Sequence, residues 1–155
     1  MFKSAKVLIA VVILFFALAV LGFAYYYLEA KNLAMGKAIV RIGDRVFQVD
    51  VAKTAALRTR GLSGREGLGE NEGLFFVFDK PGRPRFHTWF MRFPIDVIFL
   101  DNKNRVVGLK RNLKPFRMAG AWRGAKTLEL PVGIIASTRT QLGDFVAFQT
   151  TAAKA

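Results

Sequence analysis

From Val7 to Leu28 the chain reads VLIAVVILFFALAVLGFAYYYL, 22 residues without a charge. As a helix rising about 1.5 Å per residue this run would reach roughly 33 Å, enough to cross the hydrocarbon core of a bilayer. Tyr25, Tyr26 and Tyr27 close it where an interfacial aromatic belt belongs. A cleaved signal peptide is the rival reading. The run exceeds the usual apolar region of about 7–15 residues, and no A-x-A site follows the tyrosines, which favours an uncleaved anchor. Lys3, Lys6 and the amino terminus precede it; Lys31, Lys37, Arg41 and Arg45 follow, against Glu29 and Asp44. Long domains translocate largely regardless of nearby charge, so the short tail decides: N-terminus cytoplasmic, C-terminal domain outside, a single pass through the membrane. The expected organisation is a tail (1–6), a transmembrane helix (7–28), a linker (29–37), a β-rich domain (38–150) and a short tail (151–155).

Beyond residue 28 the chain carries 22 Lys and Arg against 11 acids, a formal +11. Eight of those cations (Lys103, Arg105, Lys110, Arg111, Lys114, Arg117, Arg123 and Lys126) fall between Asp101 and Glu129 with no acid among them. Such a field attracts an anionic polymer, a lipid headgroup or a small anion; a solvated basic face is the plainer alternative. No nucleic-acid-binding module accompanies the charge, so nucleic acid is not expected as a partner. Cysteine is absent, which excludes a disulfide framework and thiol chemistry.

The domain reads as short strands. AIVRI (38–42) and RVFQVDV (45–51) flank Gly43-Asp44 as a hairpin. Thr54 can cap a short helix ending at Gly61. LFFVF (74–78), IDVIFL (95–100), RVVGLKR (105–111), TLEL (127–130) and FVAFQT (145–150) have strand length, separated by turn-rich loops, among them KPGRPR (80–85). IDVIFL reads as buried on both faces. Seven or so strands with one or two short helices predict a mainly β (β-rich α+β) domain, a compact barrel or roll.

RFHTWFMRFPIDVIFLD (85–101) holds the one histidine, His87, and a lone acid, Asp96, among apolar residues. Zinc needs several His, Cys or carboxylate ligands, and one His with no Cys supplies too few, so no metal and no cofactor are expected. An oxygen-ligand site from Asp96, Asp101 and Glu129 has no supporting spacing. A Ser63–His87–Asp96 triad can be drawn, but no nucleophile elbow surrounds Ser63, and phosphate-cradling glycine motifs are missing. General acid–base chemistry by His87 and Asp96 is the better enzymatic reading. Asp96 would then be buried beside Ile98 and Leu100, paired with Arg60, Arg65 or Arg92, or else would serve as a structural acceptor for backbone N–H groups near Pro94. Trp89, Met91 and the run Ile95–Leu100 read as core.

The blocks RTRGLSGRE (58–66), EGLFFVF (72–78), FHTWFMRFPIDVIFLD (86–101), KPFR (114–117), AKTLELPVG (125–133) and GD (143–144) occur in that order. Together they resemble the family known as domain of unknown function 192, whose members carry H-T-x-x-M-R-F/Y-P-I/L-D-x-x-F-L-D, and the likeness covers about residues 46–148. Val132 stands where the family tends to Ala, and Trp89-Phe90 where it carries smaller residues. The resemblance implies a mainly β fold, often behind an export signal or anchor, and no established reaction. It singles out Arg60, Gly61, Arg65, His87, Thr88, Arg92, Pro94, Asp96, Asp101, Glu129 and Asp144. The leading expectation is a binding module for an anionic ligand at the cell envelope, with Arg60, Arg65, Arg92 and Arg117 as anion contacts and His87 and Asp96 orienting them. A hydrolase or lyase built on His87 and Asp96 is the alternative.

Overall fold

The computed structural model describes residues 2–32, 35–83, 85–119 and 122–150, in two compact units, Met1–Ala34 and Met35–Ala155. The first is one helix, α1 (Phe2–Asn32), longer at both ends than the apolar run. Its segment Lys6–Leu28 has a mean hydropathy of 3.1 and buries none of its side chains, so by length and composition it can cross a membrane. Residues 33–34 of the expected linker and the tail 151–155 lie outside the described residues.

The second unit starts with the hairpin of β1 (Gly36–Ile42) and β2 (Arg45–Ala52), paired from Gly36–Val51 to Ile42–Arg45. Helix α2 (Ala55–Arg60) follows, its first turn capped by Thr54, whose Oγ1 accepts from the Leu57 N–H at 3.2 Å. Then come β3 (Glu72–Gly82), β4 (Phe86–His87), β5 (Ile95–Leu100), β6 (Val106–Leu113), β7 (Met118–Ala119), β8 (Gly124–Pro131), α3 (Ile134–Ser137) and β9 (Ala147–Thr150). β3 extends past LFFVF through Lys80 and Pro81, with an irregular register between Val77 and Gly82, so part of the expected 80–85 loop is strand.

Seven strands form one sheet in the order β6-β5-β8-β3-β2-β1-β9, while β4 and β7 pair separately. Only the β2–β3 pairing is parallel among the described ladders. A parallel pair needs a crossover, and the segment carrying α2 supplies it. The sheet has an apolar layer on each face. One gathers Val40, Phe47, Val49, Phe75, Ile98, Leu128, Leu130 and, from α3, Ile134 and Ile135. The other gathers Leu74, Phe76, Phe86, Val97 and Phe99 with Leu57 and Leu62 of the α2 region. With cover on both sides, all six residues of β5 are buried, as a continuous apolar run demands.

The mainly β fold expected from the strand pattern, a barrel or roll, is observed, and its sheet does not close into a barrel. The chain before β9 reaches the start of β6, where Arg105 and Phe145 form a single bridge. The Val106 N–H donates to the Asp144 carbonyl at 2.9 Å and the Val146 N–H to that of Asn104 at 3.0 Å. Among the described residues β9 is four residues long and pairs only with β1, so these contacts do not become a ladder to β6 and the sheet stays open.

Gly73 in β3 marks the tightest strand contact beside the site described next. A Cβ there would lie 2.7 Å from the Glu129 carbonyl oxygen and 2.8 Å from Leu130 Cδ2, whereas at Gly82 it would meet nothing within 4 Å. Gly73→Ala is expected to destabilise the domain by about 1–3 kcal/mol through overpacking against backbone. Gly82→Ala should stay within roughly 0.5 kcal/mol. Denaturant midpoints of the two variants check this pair, and equal midpoints would refute it.

Candidate functional site: a buried acid under a cationic rim

Strand β8 carries Leu128 and Leu130 toward one apolar layer, so period-two alternation turns Thr127 and Glu129 toward the other. Register places Glu129 opposite Leu74 of β3 on one side and Val97 of β5 on the other, both fully buried members of that layer. A carboxyl group is thereby inserted into an apolar row, 4% exposed. Burial raises its pKa to about 8, and the charge of Arg65 offsets only part of that rise. Its Oε2 is buried and has no hydrogen-bond partner among the described residues. An orphaned buried acceptor or donor costs about 1–3 kcal/mol, so this atom calls for an account.

Glu129 lines a cavity of about 90 Å³. One wall is the end of α2 and the turn after it: Arg58, Arg60, Gly61 and Ser63. Gly61 ends the helix with φ 50°, its N–H donating to the Leu57 carbonyl at 3.0 Å, and its Cα faces the Phe76 ring. The opposite wall is Phe76 and Phe78 of β3 with Arg85, Phe86 and His87. Phe86 is locked edge-on against Phe76, Phe78 and Phe99 at centroid distances of 5.3, 6.2 and 5.5 Å. That cluster fixes β4, and alternation then turns His87 outward to the rim. Arg58 is held by the carbonyls of Lys53 and Val77 and lies over the Phe78 ring at 5.3 Å. Three arginines and a histidine thus line the cavity, and Glu129 is the one carboxyl group among the described lining residues.

The residues singled out by sequence divide. Arg60 and His87 line the cavity. Arg65 does not: its Nη2 lies 2.5 Å from Asp50 Oδ2, and Lys37 binds the other oxygen of the same carboxylate. Burial alone would raise the Asp50 pKa, but hydrogen bonds and charge from Lys37 and Arg65 together hold it below the ordinary carboxylate value. Arg92 is exposed, 4.0 Å from Glu66, and Arg117 is exposed with its guanidinium on the Phe116 carbonyl.

Asp96, 1% exposed, lies outside the cavity lining and does not meet His87 there. Its Oδ1 accepts from the Asn112 N–H at 2.9 Å, and its Oδ2 from the N–H groups of Gly133 and Ile135 at 3.1 and 2.9 Å. It ties β5 to β6 and to the start of α3, the structural role weighed against catalysis above. Trp89 departs from the core expectation: it is 49% exposed, while Met91 is buried. β4 ends at His87, and Thr88 turns the chain, its carbonyl accepting from Met91 and Phe116, so alternation stops before Trp89.

Arg58, Arg85 and the inward aim of Glu129 escaped the sequence reading. Glu129 had a local signal, a lone acid between Leu128 and Leu130 in a strand, but only the ladder shows that its other face is also covered.

An open mixed sheet with an apolar layer on each face makes this a small β-rich domain. The DUF192 family, described as "Uncharacterized ACR, COG1430", matches residues 38–148, and the chain belongs to that family. UPF0127 proteins of Thermococcus sibiricus and Thermococcus kodakarensis are 39% and 34% identical to it over 102 and 107 residues, 63% and 67% of this chain. The matches span 63% and 66% of those relatives' own lengths. A crystal structure of a protein of unknown function from Novosphingobium aromaticivorans has a TM-score of 0.65 and 26% identity, covering 76% of this chain and 95% of its own. A Sinorhizobium meliloti structure has a TM-score of 0.69 at 20% identity, covering 76% of this chain and 97% of its own, and shares the fold.

Two variants test the contrast between the acids. Between the unfolded carboxyl value near 4.5 and about 8, folded Glu129 keeps a proton that the unfolded chain releases. Stability should therefore fall as pH rises through that window, by up to about 1.4 kcal/mol per pH unit. Glu129→Gln is expected to remove this slope, measured as denaturation midpoint against pH; an unaltered slope would refute the assignment. Asp96→Ala should instead destabilise at every pH in the window by about 3 kcal/mol or more, since three N–H groups lose their acceptor.

Proposed function

We propose that the chain is a membrane-anchored module that binds a small anionic group in the Glu129 cavity. One observation carries this reading: Glu129, whose buried carboxyl oxygen has no partner among the described residues, lines one cavity together with Arg58, Arg60, Arg85 and His87. The arginines supply charge and directed donors, and a protonated Glu129 adds a buried donor aimed at the same oxygen-rich group. Arg60 keeps the anion-contact role expected from sequence. Arg65 positions the loop after α2 through Asp50, and Arg92 and Arg117 serve the outer surface, where an anionic polymer or a lipid headgroup would pass. The anchor is α1, with the N-terminus cytoplasmic and the β domain outside.

A hydrolase or lyase is the second reading, favoured by the raised pKa of an acid in a cleft beside a histidine. It would use Glu129 in place of Asp96 as the partner of His87. Loss of turnover in Glu129→Gln, for any ester or glycoside the full chain cleaves, would support it.

Binding is tested by titration calorimetry of the full chain in detergent with acetate and sulfate, whose charges are constant from pH 6 to 9. Arg85→Ala should weaken both at least tenfold. Above about pH 8 ionised Glu129 repels the anion, so affinity should drop, and Glu129→Gln should abolish the drop. Arg58, Arg60, Arg65 and Arg85 keep their charge throughout, and both titrations are run in a His87→Gln background so that the imidazole lining the cavity does not produce it either. Absence of binding, or a pH dependence that survives Glu129→Gln, would reject the proposal. For topology, a reporter fused to the C-terminus should be active only outside the cytoplasm; activity inside would reverse the orientation.

A further inference from the structure

The cavity is too small for a whole ligand. Ordinary small-molecule pockets run to roughly 300–1,000 Å³, and this one holds about 90 Å³, so most of any bound molecule must lie outside the mouth. What lies there is aromatic. His87, at the rim, stacks on Trp89 at a centroid distance of 4.9 Å and an interplanar angle of 20°. Trp89, Phe90 and Phe116 are 49%, 59% and 69% exposed.

The backbone that carries these rings is held in place. Buried Thr88 joins the two loops that carry them: its N–H donates to the Arg117 carbonyl at 2.9 Å, and its carbonyl accepts from the Phe116 N–H at 3.0 Å. Its Oγ1 donates to the Lys114 carbonyl at 2.7 Å and accepts from the Arg117 N–H at 3.0 Å. Phe116 is kept at φ 57°, a conformation uncommon for a bulky residue. The Phe90 carbonyl accepts from the Gly64 N–H at 3.1 Å, fastening the aromatic loop to the turn that follows the cavity wall. A backbone ordered in advance leaves only side-chain freedom to lose when a flat ligand settles on the rings.

A ligand that fills the cavity and covers the rings needs an anionic group and, next to it, a flat face rich in C–H. The rim between them is polar, with Ser63 and Thr59 lining the cavity and Arg92 and Arg117 exposed near the rings. Those groups need acceptors and donors on the ligand's edge. Lys114 and Arg117, exposed on either side of Phe116, offer cations for a second acidic unit.

We infer that the module binds an acidic saccharide, seating a sugar carboxylate in the Glu129 cavity and the sugar ring on the platform of Trp89, Phe90 and Phe116. This rests on the anion-binding reading above and names the ligand class for the same site. An aromatic acid would cover the rings but leave the polar rim unpaired, and a neutral sugar would leave the buried donor unmatched.

The full chain in detergent is titrated with acetate, glucuronate, tri-galacturonate, maltotriose and benzoate, read by calorimetry. Tri-galacturonate is expected to bind at least tenfold more tightly than acetate, and maltotriose at least tenfold more weakly than tri-galacturonate. Trp89→Ala should bring glucuronate and tri-galacturonate down to the acetate level while acetate affinity holds. Phe116→Gly relieves the backbone conformation and should weaken the saccharides in the same sense without loss of stability. If acetate itself fails to bind, the anion-binding reading falls and this inference with it. If acetate binds but the acidic saccharides gain nothing, or keep their gain in both variants, only the saccharide inference is overturned. Benzoate binding as tightly as tri-galacturonate would overturn it in favour of aromatic acids. Platform-dependent binding to phosphatidylglycerol vesicles, with no gain for the saccharides, would overturn it in favour of a lipid surface.

Discussion

The domain depends on how its two innermost acids are treated. Asp96 and Glu129 stand on neighbouring strands near the middle of a sheet covered on both faces, and each is almost wholly buried. Asp96 gathers three backbone N–H groups, so one side chain ties β5 to β6 and to the entrance of α3. Those donors would otherwise be a burial cost. Glu129, pointing to the opposite layer, is offered apolar neighbours and an arginine that attends to Asp50. The first acid is consumed by the fold, and the second is left with capacity to spare.

The proposed binding site rests on that contrast. A polar group fully satisfied by backbone has nothing to give a ligand, however suggestive its surroundings look in sequence. A polar group held short of partners is a local deficit that a ligand can repair, and deficits of this kind persist where the surrounding structure enforces them. Here the enforcement is visible: β8 is hydrogen-bonded on both sides, to β3 and β5, and Gly73 lets β3 approach closely enough that no side chain fits. Arg58, which lines the same cavity, is likewise held, by two carbonyls and an aromatic face.

Local elements were legible in the sequence because local residues decide them. Gly43-Asp44 between two β-rich runs gives the β1–β2 hairpin, and Thr54 with Gly61 brackets α2. The apolar run Ile95–Leu100 is buried as its composition requires. Closure of the sheet was not legible, since it depends on whether two strands distant in sequence extend far enough to pair, and β9 does not. Trp89 was misread because composition says nothing of where a strand stops; Thr88 ends β4, and the residues after it fall on a turn. The two acids were inseparable by pattern, each sitting between apolar neighbours. What separates them is which loops arrive overhead: the start of α3 brings N–H groups to Asp96, while the α2 turn brings side chains to Glu129.

The same deficit couples ligand to fold. A group that binds folded Glu129 and not the unfolded chain stabilises the domain by RT ln(1 + [L]/Kd), about 2.7 kcal/mol when the ligand stands at a hundred times its Kd. Part of that gain is the return of the buried donor's lost hydrogen bond, so it should be largest where Glu129 is protonated and shrink as pH climbs past about 8. A merely electrostatic attraction to the basic surface has no such dependence, because arginines stay charged across this range, and it fades with salt over a screening length of about 10 Å at 0.1 M. Ligands held by the cavity and ligands held by the surface therefore differ in kind, one set by a proton on a buried acid and the other by ionic strength.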